Sequence, residues 1–252
     1  MVHFVGAGSG APDLITIRGK KLLEEADVII YAGSLVNPQL LAYGKEGCAV
    51  YNSAKMTLEE VLEVMSDAEA RGLTTVRLHT GDPCLYGAIR EQMDVLDEKG
   101  ISYDSTPGVS SFCGAAAALD LEYTLPEVSQ SVVITRMAGR TPVPEKESIE
   151  SFAAHQATMV VFLSTTMLDE LSERLIAGGY KADTPAAIVY KATWEDEKTA
   201  VCTVGTLADT ARTNGITKTA LMIIGDVVTH TKYDRSQLYH PAFTTEFRQA
   251  SE

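Results

Sequence analysis

The sequence predicts an α/β protein made of two successive domains. Three observations carry this. Short β-branched runs alternate with helix-patterned segments from one end of the chain to the other. Glycine- and proline-bearing loops follow several of those runs at their carboxyl ends, where α/β sheets bind ligands. The alternation breaks between Glu122 and Val128, around Pro126, and then resumes in a different style.

In the first domain, 1–125, strands are expected at 2–6, 27–31, 48–51, 74–79 and 102–105. Helices are expected at 16–26, 37–44, 57–71, 84–99 and 108–119. Thr16 is the expected cap of the first helix. Thr57 and Glu60 have the spacing of a capping box, and Leu58, Val61, Leu62 and Met65 fall on one face of the helix that follows. The second domain, 126–252, should contain strands at 131–136, 158–163, 185–190, 199–204 and 219–224. Its helices are expected at 148–154, 166–178 and 205–214. Too few residues separate 185–190 from 199–204 for a parallel crossover, so an antiparallel pair is expected there. No short internal period is present, which excludes a solenoid.

Composition narrows the function classes. The 252 residues are 45% hydrophobic and 22% charged, as in ordinary globular proteins. A net charge of −13 opposes binding to nucleic acid, and no basic run exceeds Lys20-Lys21. The apolar stretch Ala220 to Val228 is broken by Gly225 and Asp226, which excludes a membrane span there. Met1-Val2-His3-Phe4 runs directly into a strand with no signal-peptide pattern, so a cytoplasmic protein is expected. Cys48, Cys84, Cys113 and Cys202 are scattered without metal-ligand spacing, and no metal site is expected. No Ser-His-Asp or HExxH pattern appears.

The informative loops are three. Thr80-Gly81-Asp82-Pro83 closes the run Thr75–His79, and Pro107-Gly108-Val109-Ser110-Ser111 repeats the arrangement about twenty-five residues later. Glycine admits close backbone approach, and proline fixes φ ahead of a helix. The third, Gly6-Ala7-Gly8-Ser9-Gly10-Ala11, formally matches a dinucleotide fingerprint. In that fingerprint the helix opens within the glycines, so that its amides face a pyrophosphate. Here Pro12 and Asp13 delay the helix, and the second strand ends Ile30-Tyr31-Ala32-Gly33 without the acidic residue a ribose requires. His79 has two readings, a general base beside Thr80 or a satisfied core histidine.

Gly6-Ala7-Gly8-x-Gly10-x-Pro12-x-Leu14-x-Thr16, together with the Thr80 and Pro107 loops, resembles the tetrapyrrole (class III) methyltransferases. Residues 31–38, Leu125-Pro126-Glu127-Val128-Ser129-Gln130, 135–142, Ala192-Thr193-Trp194-Glu195-Asp196-Glu197 and 233–239 are similar to the branch that methylates C11 of precorrin-4 or cobalt-precorrin-4. The resemblance covers almost the full chain. It implies two α/β domains with a cleft between them, S-adenosylmethionine as methyl donor, a tetrapyrrole acceptor and a homodimer. Carried over residue by residue, the donor pocket would include Pro12, Thr80, Gly81, Asp82, Leu85, Ser110, Ser111, Leu163, Ala192 and Ala220. Core packing is the plain alternative for Leu163 and Ala192, and a helix N-terminal carboxylate for Asp82. The acceptor's carboxylates would meet Arg18, Arg136 and Arg140, for which surface ion pairing is the alternative. Ser9 and Ala11 stand where the family's loop usually has proline and aspartate, which removes that acidic side chain from the chemistry.

Two other classes compete with a methyltransferase. One is a nicotinamide-dependent oxidoreductase resting on the glycine fingerprint. The other is a non-catalytic module that holds a nucleoside or tetrapyrrole. Within the family, methylation of another tetrapyrrole, of RNA or of a protein is the further alternative.

Overall fold

The computed structural model describes residues 1–229 and 233–251. The chain divides into two compact units, Met1–Ala115 with Lys191–Glu197, and Ala116–Tyr190 with Lys198–Glu252. The division falls inside a helix, earlier than the break expected at 125, and the short segment 191–197 groups with the first unit.

In the first unit, β1 (Val2–Gly6), β2 (Val28–Tyr31), β3 (Ala49–Asn52), β4 (Thr75–His79) and β5 (Tyr103–Thr106) form one parallel sheet in the order β3-β2-β4-β1-β5. The helices are α1 (Ile17–Glu25), α2 (Leu58–Ala70), α3 (Arg90–Glu98) and α4 (Ser111–Ala118), the last of which spans the division. Parallel strands are covered on both faces and therefore read as apolar runs. On one face Phe4, Val28 and Ile30 pack with Val61, Leu62 and Met65 of α2 and Met93 and Leu96 of α3. On the other, Val5, Ile29, Val76 and Leu78 pack with Leu23 of α1 and Leu40. Strand β4 breaks the pattern. Its residues Thr75, Arg77 and His79 are polar, yet all three are buried.

The chain leaves β1 in one direction across the sheet and leaves β4 in the other, so the switch point of this sheet lies where these two strands adjoin. Three helices differ from expectation. Residues 37–44 form a 3-10 turn, Pro38–Tyr43, because Asn37 caps it and Gly44 stops it after one short stretch. Helix α3 begins at Arg90 instead of 84, since Tyr86 and Ala88 have φ of 57° and 49° and cannot be helical. Helix α4 begins at Ser111, three residues late, after the loop that carries Gly108. The expected caps are present. The Thr16 hydroxyl accepts from the Gly19 amide at 3.0 Å, and Thr57 and Glu60 form the reciprocal box.

The second unit holds β6 (Val132–Arg136), β7 (Thr158–Phe162), β8 (Pro185–Tyr190), β9 (Lys198–Thr203) and β10 (Ala220–Ile224), in the order β6-β7-β10-β8-β9. Only β6 and β7 run parallel. The β8–β9 pair is antiparallel as expected, from Pro185 against Thr203 to Tyr190 against Lys198. Helices α5 (Ile149–Ala153), α6 (Leu168–Ala177) and α7 (Leu207–Thr213) cover this sheet, burying Leu171, Leu175 and Leu207 against Met159, Ile188 and Met222. Among the described residues, no helix is long and apolar enough to cross a membrane.

Candidate methyl-donor site

Three strand-end loops of the first unit meet backbone to backbone. The Ala7 amide donates to the His79 carbonyl at 2.7 Å, and Gly8 and Gly81 exchange hydrogen bonds at 2.9 and 3.3 Å. A Cβ added to Gly6 would lie 2.6 Å from both the Gly108 Cα and the Gly81 carbonyl oxygen, and one added to Gly108 only 2.1 Å from that oxygen. No side chain fits among these chains. Gly81 also adopts φ of 61°, where glycine is favoured, and lies against Ser110 and Ser111. The expected residues Thr80, Gly81, Asp82, Ser110 and Ser111 are thereby brought together at the carboxyl ends of β4 and β5.

Asp82 holds this arrangement. One carboxylate oxygen accepts from the Cys84 amide at 2.8 Å and the other from the Gly108 amide at 3.0 Å, tying the β4 loop to the β5 loop. Burial alone would raise its pKa, but the hydrogen bonds from Cys84 and Gly108 outweigh it, and the group titrates below its ordinary value. Next to it, the Thr80 hydroxyl is buried and has no hydrogen-bond partner among the described residues. A buried hydroxyl without a partner costs about 1–3 kcal/mol, so this position favours a ligand or water that supplies one.

The Gly8–Ala11 loop is fixed by residues the sequence did not single out as functional. Thr193 bonds the Ser9 hydroxyl at 3.0 Å and accepts the Ala11 amide at 3.1 Å. It does so with φ of 68°, a strained conformation for a β-branched residue. The Trp194 ring fills the space where a Gly10 side chain would stand, and Asn37 donates to the Gly10 carbonyl at 3.0 Å. Expected residues Pro12 and Ala192 flank this clasp. Pro12 opens the 3-10 turn Pro12–Leu14, and the buried Ala192 presents its carbonyl to Gly10. Leu85 lies three residues after Asp82, half-buried in the same loop, and its amide donates to the Asp82 carbonyl at 3.3 Å. Helix α1 starts only at Ile17, so its amides do not face the glycines as a pyrophosphate site requires.

Leu163 and Ala220 belong to the second unit, at one end of its sheet. Leu163, just past β7, is 61% exposed at φ of 52°, while Ala220 is buried and bonded through both backbone groups to the Thr165 hydroxyl. Core packing therefore does not account for Leu163. Ala192, in contrast, is buried.

Two expected roles meet contrary geometry. His79 is 5% exposed, stacked on Phe4 at 6.2 Å, and its pKa is pushed down to about 3 by burial and by the Arg77 charge. It stays neutral and has little affinity for a proton, as befits a core histidine and not a general base. The Arg136 guanidinium is occupied by its own loop, donating to the carbonyls of Met137, Thr141 and Pro142 at 3.1, 3.2 and 2.8 Å. It shapes that loop instead of presenting a free fork to a carboxylate. Arg140 in the same loop and Arg18 on α1 are exposed, and neither has an ion-pair partner among the described residues.

Two α/β units, the first with its glycine loops gathered at a strand-end switch point, define a small-molecule-binding protein of the α/β class. A model of the tetrapyrrole (corrin/porphyrin) methylases matches residues 1–208, and the chain belongs to that family. It is 53% identical over 249 residues to the cobalt-precorrin-4 C(11)-methyltransferase of Methanocaldococcus jannaschii, covering 99% of this chain and 96% of that one. The solved structure of the cobalt precorrin-4 methyltransferase CbiF aligns with a TM-score of 0.88 at 47% identity, over 90% of this chain and 95% of that one. Uroporphyrin-III C-methyltransferase from Thermus thermophilus, solved with S-adenosylhomocysteine, aligns at 0.74 and 26% identity, over 90% and 92%.

Proposed function

We propose that the protein transfers a methyl group from S-adenosylmethionine to C11 of cobalt-precorrin-4 or precorrin-4, a step in building the corrin ring of cobalamin. The end-to-end identity to a C11-methyltransferase carries this reading. The first unit supports the donor: Gly81 keeps its loop free of a side chain beside Ser110 and Ser111, Gly6 and Gly108 let the three loops close on one another, and the Thr80 hydroxyl lacks a partner among the described residues. Pro12, Thr80, Gly81, Leu85, Ser110, Ser111, Leu163, Ala192 and Ala220 hold the donor on this reading. Asp82 serves it by locking two loops together.

The donor's sulfonium supplies an activated methyl group. The protein's own task is then to align the reacting atoms and keep water out, which needs no catalytic dyad. His79 takes no part in proton transfer. Arg18 and Arg140 meet acceptor carboxylates, and Arg136 contributes by shaping the Arg140 loop. The protein works as a cytoplasmic homodimer on the same reading, and sedimentation would test that assembly.

Calorimetric titration with S-adenosylhomocysteine, with NAD as control, tests the donor site. Micromolar binding of the first alone is expected. Binding of NAD alone would overturn the methyltransferase reading in favour of an oxidoreductase. Transfer of labelled methyl to the tetrapyrrole then separates an enzyme from a non-catalytic binding module.

A further inference from the structure

Strand β4 carries a charge into the core of the first unit. Arg77 is 7% exposed, and burial pushes its pKa down to about 10, so it remains a cation at neutral pH. Among the described residues no carboxylate pairs with it. Its Nε donates to the Gln92 side-chain oxygen at 3.1 Å and its Nη1 to the Ile30 carbonyl of β2 at 3.2 Å. A buried charge held only by neutral acceptors is costly, and a well-packed apolar side chain is often the more stable choice. Stability therefore does not explain Arg77.

Its bonding does. Arginine only donates, so the Gln92 oxygen must face it, and the Gln92 amide nitrogen is left to point the other way. That nitrogen donates to the Ala88 carbonyl at 2.8 Å. Ala88 and Tyr86 are the two left-handed residues of the loop between Asp82 and α3. Each such residue is strained and persists only where its surroundings dictate it. We propose that Arg77 and Gln92 form a positioning relay, which fixes the Asp82–Ala88 loop in the shape the methyl-donor site requires. Both side chains are buried, so the relay acts through the loop backbone. The ligand half of the proposal rests on the methyltransferase reading, whereas the loop half stands alone.

Gln92→Glu separates the two functions of Gln92. It keeps an acceptor for Arg77 and adds a counter-charge, but it has no donor for the Ala88 carbonyl. The expected variant is as heat-stable as the wild type, with faster hydrogen exchange at the amides of Cys84–Ala88. Its affinity for S-adenosylhomocysteine falls about tenfold, and the donor KM rises while the acceptor KM does not. Arg77→Met removes the buried charge and gives the same readouts should Gln92→Glu fail to fold. Unchanged loop exchange and unchanged affinity in a folded variant would overturn the relay. A wild-type protein that binds no S-adenosylhomocysteine would instead overturn the methyltransferase reading, with the exchange comparison still testing the relay.

Discussion

A single methyl group at residue 108 would meet the Gly81 carbonyl oxygen at 2.1 Å, with backbone on every side and nothing flexible to yield. Gly108→Ala is therefore expected to lose about 2 kcal/mol or more in chemical denaturation, because the β4 and β5 loops must part to admit it. His79 allows a sharper test. Its folded pKa is about 3 against an ordinary 6.5, so the unfolded chain binds the extra proton between those values. The sign follows: stability is full above pH 6.5 and is lost as pH falls toward the folded pKa. Between about pH 6 and 5 the ordinary carboxylate range lies lower still, and Asp82, depressed further, adds nothing there. Wild-type stability should fall more steeply with acid than that of His79→Gln, by about 1.4 kcal/mol per pH unit. Equal slopes would mean that the imidazole is solvated after all.

At the scale of elements, helix α2 was legible down to its cap. Thr57, Glu60 and the apolar spacing are local signals, and local chemistry decides them. Thr57→Ala should cost about 1 kcal/mol of stability and leave S-adenosylhomocysteine binding unchanged, since α2 lies on the sheet face and not at the strand ends. Loss of binding in that variant would show that the face and the ends are coupled. Helix α3 was legible in its body and not in its start. Residues 84–89 look helical, but Ala88 is left-handed, and the Gln92 amide that bonds its carbonyl four positions away is held in turn by Arg77, 15 positions from Gln92. The glycine loops announced themselves through composition. Their clasp by Thr193 and Trp194 did not, because the Ser9–Thr193 bond joins positions 184 apart and neither residue type signals a partner. Arg77 did leave a trace, a charge in the middle of an alternating run. Reading it would have required knowing that β4 is central and covered on both faces.

For the molecule as a whole, the proposed acceptor is a polycarboxylate and the protein carries a net charge of −13. Two opposed effects follow. Long-range repulsion would slow the approach of the acceptor, while on the proposed reading Arg18 and Arg140, exposed and without ion pairs among the described residues, attract it at close range. Salt distinguishes them because screening acts by distance. Raising ionic strength from about 10 to about 100 mM shortens the Debye length from about 30 to about 10 Å, which removes the long-range part first. Contacts within hydrogen-bond reach are screened far less. The acceptor KM should therefore fall over that range, with the S-adenosylhomocysteine affinity little changed. Arg140→Ala should raise the acceptor KM at every salt concentration, leaving donor affinity intact. Arg136→Ala should also raise it, by releasing the Thr141 and Pro142 carbonyls and with them the loop that carries Arg140. An acceptor KM that climbs steeply with salt would show instead that a local basic surface outweighs the overall charge, and that the docking site is more cationic than Arg18 and Arg140 alone can make it.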